Sequence, residues 1–134
     1  MTSFEGRGER RVKHILERIF ETVAISQAPI KHLISNQQYE LMSEVYQKRK
    51  YDLYLPTKKL IVEVNYKHTG KAQQKEEIHA AHLKEEGINL IPIQDWNCPR
   101  LFRDSHIPSW DDWIEVIGEL KRNGINENGE KIGR

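Results

Sequence analysis

The chain has 134 residues, of which 37% are hydrophobic and 31% charged, with a net charge of +1. That is enough for one domain around one core and too little for two ordinary ones. No apolar run approaches the ~20 residues needed to cross a bilayer, the charged start from Met1 to Arg11 lacks a secretory apolar stretch, and a lone Cys98 excludes an internal disulfide and a thiolate zinc site; a cytoplasmic protein is expected.

Charge is unevenly distributed. Residues 1–75 hold 14 Lys/Arg against 8 Asp/Glu, and residues 76–134 hold 7 against 12. A basic half can face phosphates, because neutralising them releases condensed counterions. Lysines and arginines that simply solvate exposed faces account for the asymmetry equally well.

The first predicted element is a helix from about Gly8 to Val23. Val12, Ile15, Leu16, Ile19, Phe20 and Val23 recur at spacings of three and four and form one apolar stripe. Glu9 lies at the edge of that stripe. An inward carboxylate is costly without a partner, although a first-turn glutamate is also favoured by the helix dipole. From Ala24 to Gln47 the pattern is weak, and Gln37 to Tyr46 fits a short helix or part of a strand. Tyr51 to Leu55 reads as a strand stopped by Pro56. After a tight turn at Thr57-Lys58-Lys59, the β-branched run Leu60 to Tyr66 reads as a second strand, so that the two form an antiparallel hairpin.

His68-Thr69-Gly70 breaks the second strand. Gln73 to Glu86 is a predicted helix with Gly87 as its C-cap. Ile88 to Ile93 is a third strand, in which Pro92 favours an edge or an end. Ser109 to Arg122 is a last helix, with Ser109 and Asp112 in a capping arrangement and Trp110, Trp113, Ile114, Ile117 and Leu120 as its stripe. Residues 123–134 are Gly/Asn/Glu/Lys-rich and read as a flexible tail beyond a single domain over residues 1–122. This order predicts an α/β sandwich around a small mixed sheet.

One constellation carries chemistry. Alternation places Ile61, Glu63, Asn65 and Lys67 on one face of the second hairpin strand, and the hairpin brings Asp52 near that face. Two carboxylates from adjacent strands can hold a hard divalent cation, with a backbone carbonyl such as that of Val64 adding an oxygen. A lysine beside them can orient or deprotonate water and offset charge on phosphorus. Alone, Asp52-x10-Glu63-x3-Lys67 is a weak pattern that a solvent-facing strand with scattered charges would also produce.

The run Lys50-Tyr51-Asp52-Leu53-Tyr54-Leu55-Pro56 followed by Leu60-Ile61-Val62-Glu63-Val64 resembles the core hairpin of the PD-(D/E)xK nuclease superfamily. The wider order resembles its branch of very-short-patch-repair-like and phage homing endonucleases. Gly8-Glu9-Arg10-Arg11 stands where that branch has a Gly-Glu-basic-basic helix start, and His68, a polar helix, Gly87 and an aliphatic strand follow in the same order. The resemblance spans roughly residues 6–95. It implies a restriction-endonuclease-like fold and Mg²⁺-dependent hydrolysis of DNA to a 5′-phosphate product, with Mn²⁺ as a substitute. Asp52 and Glu63 would bind the metal, with Glu9 as an outer acid. The usual lysine two residues after the glutamate is Asn65 here, so Lys67 or Lys75 is expected in that role, with Asn65 orienting a water or substrate oxygen. DNA is the implied partner, contacted by Arg10, Arg11, Lys71 and Lys75, and a double-strand cut would call for a homodimer.

Other readings concern the same residues. A catalytically inactive DNA-binding or assembly module on a nuclease fold would also keep these motifs, and Asn65 could mark decay of the site. A protein–protein adaptor would use the Trp-bearing C-terminal region, while Trp96, Trp110 and Trp113 could instead stack on bases. For Trp110 and Trp113 the stripe favours core packing. His79 and His82, three apart on one helix, are compatible with a metal pair but lack further ligands at a fixed spacing.

Overall fold

The computed structural model describes residues 8–65, 81–103 and 109–132. The chain is a mixed α/β protein built on a four-stranded sheet in the order β1-β2-β3-β4, comprising Ile25–Pro29, Lys50–Leu55, Leu60–Asn65 and Asn89–Gln94. The first three strands are antiparallel neighbours, and β4 runs parallel to β3. Parallel neighbours need a long crossover, and helical residues 81–85 (α4) belong to the segment joining them.

Two apolar layers cover the two faces of the sheet. On the first, α1 (Glu9–Phe20) and α5 (Trp110–Arg122) pack Val12, Leu16, Val116 and Leu120 against Leu53, Leu60, Val62 and Ile91. On the second, Ile30, Ile34 and Met42 join Ile61, Leu83 and Ile88 beneath the short helices α2 (Asn36–Glu40) and α3 (Glu44–Gln47). Along β3, Leu60 and Val62 face one layer and Ile61 the other, as the two-residue period of a strand requires.

Helix α1 begins at Gly8, whose φ of +82° suits a residue without Cβ; an added Cβ would lie 3.0 Å from the Phe102 ring. It ends at Phe20, three residues before the predicted limit. Glu21 adopts a left-handed conformation, and the Glu17 carboxylate accepts the Ala24 N–H at 2.9 Å, drawing the chain off the helix axis. Val23 is therefore exposed and outside the stripe.

Strand β1 lies in the stretch without a clear period. Ile-Ser-Gln-Ala-Pro shows no apolar alternation, Gln27 has φ of 53°, and Pro29 is tolerated because β1 is an edge strand. In the ambiguous segment after it, both short helices are observed. The β2–β3 turn is a single 3₁₀ turn, Pro56–Lys58, closed by Lys59 at φ 48°. Pro92 sits on β4, the opposite edge.

The Ser109/Asp112 capping box at the start of α5 is present, but the buried side of the helix differs from the predicted stripe. Asp112, Val116, Glu119 and Leu120 face inward with Trp113 partly covered, whereas Trp110 is 80% exposed and Ile114 and Ile117 also face out. The inward carboxylates have partners. Glu119 accepts the Gln94 N–H at 2.6 Å and also binds Asn97 and Arg122. Glu115 accepts the N–H groups of Arg100 and Leu101, and Asp112 pairs with Arg103. Glu119 and Glu115 thus satisfy backbone donors at the end of β4 and in the chain leaving it.

Residues 123–132, read from the sequence as a flexible tail, make defined contacts with the rest of the fold. Ile125 is buried in the α1/α5 layer and bridges to Lys131, and Gly129 packs against the Lys58 side chain.

Candidate active site

The β2–β3 ladder pairs Leu55 with Leu60, Tyr54 with Ile61 and Leu53 with Val62. Asp52 and Glu63 come next in that register, and there the two strands are joined through side chains. The Asp52 N–H donates to Glu63 Oε2 at 2.7 Å, and the Val64 N–H donates to Asp52 Oδ2 at 2.8 Å. Each carboxylate thus caps an amide of the opposite strand. Strand β2 also changes facing here: Leu53 belongs to the α1/α5 layer, while Tyr51, two residues away, belongs to the other. Strict alternation would keep them on one face, so the buried contacts of β2 pass from one layer to the other across Asp52.

Glu63 is only 6% exposed, whereas Asp52 is half-buried. Burying a carboxylate is costly unless it is paired. Arg49 supplies the charge, with Nη2 donating to Glu63 Oε1. The same guanidinium lies 5.1 Å from the centroid of the Tyr51 ring, within cation–π range. The backbone of Arg49 is fixed as well: its N–H donates to the Tyr46 carbonyl and its own carbonyl accepts from Ile30, both at 3.0 Å. Arg49 had no motif to mark it in the sequence; its place just before the Asp52 strand was the available signal.

Two hard oxygen ligands on adjacent strands, one within reach of solvent, suit a small divalent cation. Mg²⁺ is commonly held by one or two carboxylates and completes its shell with water and phosphate oxygens. An oxygen that accepts one N–H retains a second lone pair. Among the described residues, no three His, Cys, Asp or Glu side chains form a group able to hold a metal ion. Asp52 and Glu63 therefore stand as a pair, and Glu9 is not gathered with them into such a group. Glu9 is nonetheless buried, at 3% exposure, in the first turn of α1 on the α1/α5 side of the sheet.

The remaining candidates are placed as follows. Val64 contributes its N–H to Asp52, and Asn65 lies opposite Gln94 on β4. The Asn65 side chain, Lys67, His68, Lys71, Lys75 and His79 lie outside the described residues. Arg10 is exposed. Arg11 Nη1 holds the carbonyls of Leu101 and Arg103 at 2.6 and 3.1 Å, which fixes its side chain beside that loop. His82 Nδ1 lies 3.2 Å from Gln38 Oε1, which gives it a role between α4 and α2.

No family model, curated protein or solved structure matches the chain. Among the described residues, no helix is long and apolar enough to cross a membrane.

Proposed function

We propose that the chain is a metal-dependent DNA endonuclease of the PD-(D/E)xK type with a restriction-endonuclease-like fold. The observation that supports this reading best is the reciprocal capping of Asp52 and Glu63 where the β2–β3 ladder opens. The two carboxylates hold each other's strands at neighbouring positions, and these are the positions to which the motif resemblance assigns metal ligands. Bound Mg²⁺ would supply Lewis acidity toward the scissile phosphate and acidify the attacking water.

The chain's own residues do the rest in this reading. Asp52 and Glu63 would hold the cation, and the amides of Val64 and Asp52 hold the two carboxylates in register. The resemblance gives Glu9 the part of an outer acid, and Lys67 or Lys75 moves the proton or steadies charge on phosphorus. The test is incubation of linear, supercoiled and branched DNA with Mg²⁺, Mn²⁺ or EDTA. Cleavage that requires a divalent ion and disappears in Asp52→Asn and Glu63→Gln is expected; normal cleavage by both variants overturns the assignment. Asn65 at the usual lysine position favours a second reading, an inactive DNA-binding module. A salt-dependent gel shift without cleavage under every metal would identify it.

A further inference from the structure

We propose that Arg49 and a divalent cation are alternative partners of Glu63, and that Arg49 exchanges Glu63 for a phosphate oxygen of DNA when the cation binds. The inference rests on the metal-dependent reading above and adds to it a basic residue that no motif indicates.

The argument starts from the guanidinium. It carries a permanent positive charge and five N–H donors in a planar fork, and it cannot relieve repulsion by losing a proton. Its Nη2 is bonded to Glu63 Oε1, while Oε2 of the same carboxylate receives the Asp52 amide. A divalent cation held by Glu63 would share that carboxylate with the guanidinium, and two positive centres on one buried carboxylate repel each other. A nearby anion offers Arg49 a new partner without removing it from the site.

The setting favours phosphate as that anion. Arg49 is held at its backbone by Tyr46 and Ile30 and rests on Tyr51, yet 32% of its side chain remains exposed. Lys48 and Lys50 on either side of it are both exposed, so a Lys-Arg-Lys run leads directly into the strand that carries Asp52. Arginine is also the side chain best matched to a phosphate fork. Metal and DNA therefore bind cooperatively through Arg49, each raising the affinity of the other by the same factor.

The test is direct titration of EDTA-treated, dialysed protein with Mn²⁺, following free Mn²⁺ by electron paramagnetic resonance in the absence of DNA. Arg49→Gln keeps a hydrogen-bond donor for Glu63 and removes the charge. It should bind Mn²⁺ on the order of tenfold more tightly than the unmodified chain, and adding Asp52→Asn should abolish the gain. Unchanged or weaker Mn²⁺ binding by a folded Arg49→Gln, with Asp52-dependent binding in the unmodified chain, overturns the exchange and leaves the metal site standing. Absence of Mn²⁺ binding from both proteins overturns the exchange and the metal reading together. A second measurement needs no variant to fold: in the ¹⁵N-labelled unmodified chain, Mg²⁺ should shift the Arg49 Nε–H resonance, and an unmoved resonance at saturating Mg²⁺ overturns the proposal.

Discussion

Glu63 has both oxygens engaged, by the Arg49 guanidinium and the Asp52 amide, and is almost fully buried. Asp52 is half-buried and caps the Val64 amide. The two isosteric amide substitutions should therefore differ in stability. Glutamine at 63 has one acceptor and one donor end, so either Arg49 or the Asp52 N–H would face an N–H₂ group. Glu63→Gln should cost roughly 1–3 kcal/mol, the range for leaving a buried polar group unsatisfied. Asparagine at 52 can keep its oxygen on Val64 and turn its N–H₂ toward solvent, so Asp52→Asn should cost under about 1 kcal/mol. Urea unfolding of both variants checks this, and equal losses would mean that the Arg49 pair contributes little to holding the strands.

At the level of elements, the two ends of the chain meet the sheet through helix α1 and helix α5. The start of α1 is wedged against residues 101–103: Gly8 abuts Phe102, and Arg11 holds two carbonyls. Gly8→Ala would force a Cβ to 3.1 Å from the Leu101 carbonyl at φ +82°. A loss of about 1–3 kcal/mol is expected from strain in a left-handed position, read as a lower urea midpoint. Helix α5 carries two apolar rows, and only one is buried. Leu120→Ala should cost about 2–5 kcal/mol, as expected for core leucines, whereas Trp110→Ser should change stability by less than about 0.5 kcal/mol. Thermal unfolding of the pair tests the assignment of the buried side. A large loss in Trp110→Ser would return the inward face to the row predicted from sequence.

For the molecule as a whole, the sheet has helices on both faces, and the candidate carboxylates sit where its central hairpin opens. The basic segment 48–50 enters the site along β2. If this is the path of DNA, the logarithm of the binding constant should fall steeply with the logarithm of salt concentration. Lys48→Ala and Lys50→Ala should each reduce that slope by about 0.9 if each lysine contacts one phosphate. Fluorescence anisotropy between about 50 and 200 mM salt measures it, and unchanged slopes would move the path elsewhere. Features governed by local chemistry were legible in the residues alone. The β2–β3 hairpin followed from two β-branched or aromatic runs around Pro56, and the start of α5 followed from Ser109 and Asp112. The Asp52/Glu63 pair was legible because register follows from such a hairpin. Other features depend on residues far apart in the chain. Strand β1 owes its form to pairing with β2 rather than to its own weak pattern, and Gln94 calls Glu119 inward across 25 positions. Arg49 meets Glu63 across 14 positions, a pairing that no periodicity encodes. Periodicity identifies surfaces able to be buried, but long-range packing and the need to pair buried charge select which of them is buried.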